Sequence, residues 1–161
     1  MSRPTTPADL GEDPLALERQ VCFALSVASR NVIALYRPLL EPMRLTHPQY
    51  LVMLALWERT PRSVKDLSAV LHAEPATLSP LLKRLESVGY LTRGRSNADE
   101  RLLAVDLTEQ GRELRAEAEK IPHRIVERLG MELSELEQLN SVLTRVIAAT
   151  RRTDLDTALP E

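Results

Sequence analysis

Cysteine is nearly absent: Cys22 is the only one in 161 residues. A single thiol excludes an internal disulfide framework and any resolving cysteine within the chain. Aromatic residues make up only 3%. The core must therefore be built on Leu, Val, Ile and Ala, and the stacking platforms of a single-stranded nucleic-acid binder are lacking. Positive charge is not in excess either, since 21 Lys and Arg face 23 Asp and Glu. Any polyanion would have to be met by a local patch. The longest apolar run, Tyr50 to Trp57, is far too short to span a bilayer. The first residues, MSRPTTPADLGEDP, hold no apolar segment of signal-peptide type. A cytoplasmic protein with no membrane partner is predicted. There is no Gly-rich phosphate loop and no nucleophile elbow. His47, His72 and His123 lie far apart, and one cysteine cannot build a structural zinc site. No catalytic centre, metal or cofactor is expected, and the chain is not read as an enzyme.

What is there has the pattern of a helical protein. Asp13-Pro14 offers an N-cap followed by proline, and apolar residues recur at three and four from Leu15 through Val21, Leu25, Ala28 and Val32. That spacing predicts a helix to about Tyr36, limited by Pro38. Thr46-His47-Pro48-Gln49 is a capping box, opening a helix to about Glu58 that is apolar nearly all round. Ser63 caps a helix over 64–72. Pro75-Ala76 starts another that ends at Gly89. Two short helices joined by a tight turn are the helix-turn-helix arrangement. The period then changes: 90–95 and 102–107 read as strands around the turn-forming Ser96-Asn97-Ala98-Asp99-Glu100. A hairpin directly after a helix-turn-helix is a wing. Thr108 caps a further helix, bent at Pro122 and closed by Gly130, and Ser134 to Glu137 form a second capping box opening the last helix.

The fold class is therefore mainly α with a small β-hairpin wing, a winged helix-turn-helix flanked by long N- and C-terminal helices. Residues 1–13 form a flexible arm and 153–161 a flexible tail. Residues 14–152 are one fold, with 48–107 as the winged-helix DNA-binding region and 14–46 plus 108–152 as the helical dimerisation region. In the recognition helix Thr77, Ser79, Pro80, Lys83 and Arg84 are placed to meet base edges or phosphates. In the wing Arg93, Arg95 and Arg101 supply cations for backbone or minor groove. From Ala76 to Arg101 five basic residues (Lys83, Arg84, Arg93, Arg95, Arg101) face three acidic ones (Glu86, Asp99, Glu100), the local excess that the chain as a whole lacks.

Asp99-Glu100-Arg101, followed after five residues by Leu107-Thr108-Glu109-Gln110-Gly111, resembles the wing signature of the MarR family of winged-helix regulators. The resemblance implies that Asp99 orients Arg101 for the minor groove, as a carboxylate fixes a guanidinium plane. Leu17 to Leu25 around Cys22-Phe23-Ala24-Leu25, Leu35 to Leu40, Thr46 to Tyr50, and Thr77 to Arg84 are similar to the organic hydroperoxide resistance regulators. The similarity covers about Leu15 to Leu129. It implies that Cys22 is a peroxide sensor, oxidised to a sulfenic acid, and that tyrosine hydroxyls donate to its sulfur. Tyr36 matches one such position; Ser26 and His47 stand at two others where the family has tyrosine.

Taken alone, a lone cysteine is also a small buried hydrophobe. Reading the helix from Leu15 puts Cys22 more than two turns in, where the helix dipole contributes little; Arg19, one turn back, would favour a thiolate there and Glu18 would oppose it. Cys22 and Tyr36, fourteen residues apart on one helix, are about 21 Å apart along it. They can meet only across a homodimer. The expectation is a dimeric repressor on a pseudo-palindromic double-stranded DNA operator. An organic hydroperoxide would release it by a one-cysteine mechanism in which a small cellular thiol caps the sulfenic acid. Three alternatives stay open: a repressor induced by a lipophilic small molecule with Cys22 structural, a thiol-dependent peroxidase, and an adaptor without DNA affinity.

Overall fold

The computed structural model describes the backbone of residues 13–95 and 103–157, with side chains to 151 at the C-terminal end. The chain divides into two compact units, Met1–Arg115 and Ala116–Glu161. The first unit holds α1 (Val21–Leu40), α2 (His47–Glu58), β1 (Arg62–Ser63), α3 (Val64–Leu71), α4 (Pro75–Val88), β2 (Leu91–Arg95), β3 (Leu103–Leu107) and α5 (Glu109–Glu113). Then α6 (Arg115–Ala118) straddles the division, and α7 (Ile121–Leu129) and α8 (Leu133–Thr157) belong to the second unit. No helix among the described residues is long and apolar enough to cross a membrane.

Local chemistry explains most boundaries. At α2 both halves of the capping box form: Gln49 N–H donates to Thr46 Oγ1 at 3.4 Å, and Thr46 N–H donates to Gln49 Oε1 at 2.9 Å. Ser63 Oγ caps α3 by accepting from Asp66 N–H at 3.0 Å. Gly89 ends α4 in the left-handed conformation, φ 96°, where glycine has no side chain to strain. Leu91 pairs with Leu107 and Arg93 with Val105 in an antiparallel wing. The core is aliphatic: Val52, Met53, Leu56, Leu67, Leu78, Leu82, Leu85, Leu91 and Val105 are sealed from solvent.

Several expectations are corrected. The first helix begins at Val21, not Leu15. Asp13 Oδ1 accepts from Leu15 N–H, and Gln20 Nε2 donates back to the Pro14 and Ala16 carbonyls, so this cap closes a short 3-10 turn over Leu17–Arg19 instead. Its far end runs through Pro38 to Leu40, because burial of Leu39 and Leu40 anchors the last turn against the missing proline N–H. The α2 helix is buried on most faces, as its all-round apolar pattern predicts, with Leu51 and Leu54 exposed on the remaining one. The single bent helix after Thr108 is three segments, and Pro122 stands in the first turn of α7 rather than at a bend. Ser134 is not the cap of α8: Glu135 Oε2 accepts from the N–H of Glu132, three residues earlier. That helix continues to Thr157, past the start of the expected tail. The wing has a third strand, β1, whose Arg62 and Ser63 pair with Val105 and Ala104. The expected arm falls on residues of which 1–12 lie outside the described set, as do 96–102 and 158–161.

Candidate functional site

The α3–α4 turn is tight. His72 adopts the left-handed conformation, φ 51°, and Ser68 Oγ donates to the Ala73 carbonyl. Leu78, Leu82 and Leu85 bury one face of α4. At 100° per residue, Thr77, Ser79, Pro80, Lys83 and Arg84 fall on the opposite side, and all five are exposed. The predicted recognition face is thus a continuous polar and basic surface, free to enter a groove. Arg95, at the end of β2, is exposed. Arg93 is not free: its Nη2 and Nε donate to Glu86 Oε2 at 2.8 and 3.1 Å, and its backbone N–H to Glu86 Oε1 at 3.3 Å. Those bonds hold the Glu86 carboxyl below the usual carboxylate range. Asp99 and Arg101 lie outside the described residues.

Cys22 is exposed and is the second residue of α1, not two turns inside it. Arg19 belongs to the preceding 3-10 turn, so it is not one helical turn back from Cys22. Ser26, four residues on and exposed, shares the Cys22 face.

At the other end of α1 the structure joins Tyr36 to His47 on α2, with ring centroids 5.1 Å apart, edge to face. Tyr50 packs 5.8 Å from Tyr36, and Trp57 6.5 Å from Tyr50. Burial pushes the Tyr36 phenol up, keeping it a proton donor, and pushes the His47 imidazole down, keeping it neutral. A neutral His47 can donate or accept one hydrogen bond through its ring nitrogens but brings no positive charge. The four predicted redox residues form two pairs, Cys22 with Ser26 and Tyr36 with His47, held at opposite ends of α1. Beside the second pair lies a cleft of about 440 Å³ lined by Arg30, Ile33, Ala34, Arg37, Leu45 and His47, among others.

The His47 environment gives a pH prediction. A histidine held neutral by burial adds stability above its unfolded value of about 6.5, and that stability is lost as pH falls toward the lower folded value. Urea midpoints measured from pH 8 to pH 5 should fall more steeply for wild type than for His47→Gln. Parallel curves would contradict it.

Sequence reasoning missed two features. Arg62 is buried, its Nε donating to the Ala55 and Arg59 carbonyls and its Nη1 to Asp66 at 2.8 Å; no local pattern marks it. The Glu86–Arg93 contact joins a helix to a strand, beyond the reach of helical or strand periodicity.

The chain was compared with known proteins. The profile of the family described as Transcriptional regulator SarA/Rot matches residues 34–118. The HTH-type transcriptional regulator TtmR of Methylorubrum extorquens is 40% identical over 151 residues, 91% of this chain and 77% of the relative. The organic hydroperoxide resistance transcriptional regulator of Bacillus subtilis is 41% identical over 131 residues, 81% of this chain and 89% of the relative. Among solved structures, reduced AbfR bound to DNA, a protein of Staphylococcus epidermidis, superposes with a TM-score of 0.74 at 30% identity, over 88% of this chain and 97% of that one.

Proposed function

Since the chain belongs to the MarR family of winged-helix transcription regulators, we propose that it is a homodimeric repressor whose hold on operator DNA is set by the redox state of Cys22. The observation that carries the DNA reading is the exposed Thr77–Ser79–Pro80–Lys83–Arg84 face of α4, opposite its buried leucines. In a two-fold dimer, two such helices about 34 Å apart would read successive major grooves, while Arg95 reaches the flanking backbone and Arg101 the minor groove. Asp99 orients Arg101 in this reading.

Dimerisation is supported by apolar surface. Val21, Phe23, Leu25 and Ile33 on α1 are exposed, and so are Leu139, Val142, Val146 and Ile147 on α8. Such stripes are costly to leave in water and fit a second copy. Two α1 helices crossing antiparallel would bring Cys22 and Ser26 of one protomer to Tyr36 and His47 of its partner. The Cys22 thiolate then attacks the outer oxygen of an organic hydroperoxide. The O–O bond breaks, an alcohol leaves after protonation, and Cys22 becomes a sulfenic acid. With one cysteine in the chain, a small thiol displaces water from it to give a mixed disulfide. Modification at the interface shifts the dimer toward a geometry that does not fit the operator.

The cleft near His47 favours a second reading, in which a small amphipathic ligand induces release and Cys22 is packing. Exposure of Cys22 in its own chain counts against a packing role. The named relatives are regulators, which counts against a peroxidase.

The DNA reading is tested by anisotropy on the duplex upstream of the gene, across a salt series. Lys83→Gln and Arg84→Gln should each weaken binding by roughly fivefold or more, and each lost phosphate contact should lower the slope of log affinity against log salt by about 0.9. Unchanged affinity and slope in both variants would mean that α4 does not meet DNA.

A further inference from the structure

We infer that Glu86 and Arg93 are positioning residues for DNA binding: their ion pair fixes the wing to the recognition helix, so Arg93 serves the geometry of the interface rather than touching a phosphate. The inference rests on the DNA-binding reading above and assigns within it a role that charge counting misses.

The geometry is specific. One carboxylate receives two guanidinium N–H groups and the backbone N–H of the same arginine. That engages the side chain and fixes the strand backbone at once. Only Gly89 and Tyr90 separate α4 from β2. The connection is clamped on its other side, where Tyr90 Oη donates to the Met43 carbonyl at 2.7 Å and Thr108 N–H to the Tyr90 carbonyl at 3.1 Å. The Glu86–Arg93 pair spans this connection from the side of the recognition helix. On the strand, Leu91, Arg93 and Arg95 project from one face. Leu91 is buried, Arg93 is bound to Glu86, and Arg95, about 6.6 Å farther out, is exposed. Two arginines one pleat apart thus divide the work: Arg93 orients and Arg95 is left to meet phosphate. Glu86 flanks the exposed face of α4, so without Arg93 it would present an uncompensated carboxylate to DNA.

The experiment is anisotropy with the full chain on its upstream duplex and on an unrelated duplex, across a salt series, with the melting temperature of each variant recorded. Arg93→Gln should weaken operator binding about tenfold with the salt slope unchanged, and adding Glu86→Gln should cost little more, the non-additivity expected of residues in direct contact. Glu86→Gln alone should free Arg93 and raise affinity for the unrelated duplex, reducing discrimination. Arg93→Lys keeps the charge but loses the two-pronged geometry, so it should retain the salt slope and lose operator affinity even where Arg93→Gln folds poorly. A slope lowered by about one in Arg93→Gln, with the losses in the double variant simply adding, would make Arg93 a phosphate contact and overturn the inference. Wild-type protein that binds neither duplex would overturn the DNA-binding reading itself.

Discussion

Replacing Gly111 with alanine is expected to destabilise the protein by about 3 kcal/mol, the upper part of the range for forcing an atom into filled space. In a chain of this size that lowers the melting temperature by roughly 6–12 °C. A Cβ at Gly111 would stand 2.0 Å from the Tyr90 carbonyl oxygen and 3.3 Å from Leu107 Cδ2. The first obstacle is backbone, so no rotamer change relieves it. Three bonds hold the parts together: Trp57 Nε1 donates to the Gly111 carbonyl at 2.8 Å, Thr108 N–H to the Tyr90 carbonyl at 3.1 Å, and Gly111 N–H to Thr108 Oγ1 at 3.1 Å. The clash must therefore shift α5 from the wing or break these clamps. Gly94→Ala is the control, since nothing lies within 4 Å of a Cβ there. Thermal unfolding of the two variants beside wild type measures the effect. A Gly111→Ala protein that melts with wild type would show that Gly111 and Tyr90 are not in the close contact described.

That contact illustrates where sequence reasoning stops. Gly111 reads as a helix-start glycine, which it is, but its necessity comes from Tyr90, 21 positions away in the chain. The α2, α3 and α4 boundaries were legible because their signals are local: a side chain caps an amide three residues on, and a glycine takes the left-handed turn. Local signals also misled. Asp13-Pro14 is a sound cap, but it closes a 3-10 turn, and the misplaced start put Cys22 deep in a helix where it stands in the first turn. At the last helix Glu135 reaches back to Glu132, not to a box opened by Ser134. The two-residue β1 has no period to read. Arg93 looked like Arg95 because charge carries no information on which carboxylate stands nearby.

The largest functional effect is expected at Cys22. The only sulfhydryl in the chain is exposed at the start of α1, while the Tyr36 phenol, pushed up by burial, and the His47 imidazole, pushed down, gather at that helix's other end. In the proposed dimer Tyr36 and His47 would supply hydrogen bonds to the sulfur from the partner protomer, and oxidation would act on the surface that sets the spacing of the two recognition helices. To empty an operator, the modified thiol need favour the non-binding geometry by only a few kcal/mol. Serine at position 22 keeps the shape and removes the chemistry. Cys22→Ser should hold DNA as wild type does and lose release altogether. Intact mass after peroxide and a small thiol should show wild type carrying one thiol adduct per chain, not a Cys22-linked dimer.

The most direct test is anisotropy on the upstream duplex at fixed salt, with wild type and Cys22→Ser, before and after an organic hydroperoxide with a small thiol. The prediction is that both proteins bind, wild type is released and Cys22→Ser stays bound. Equal release of both, or of neither, would contradict a sensor at Cys22.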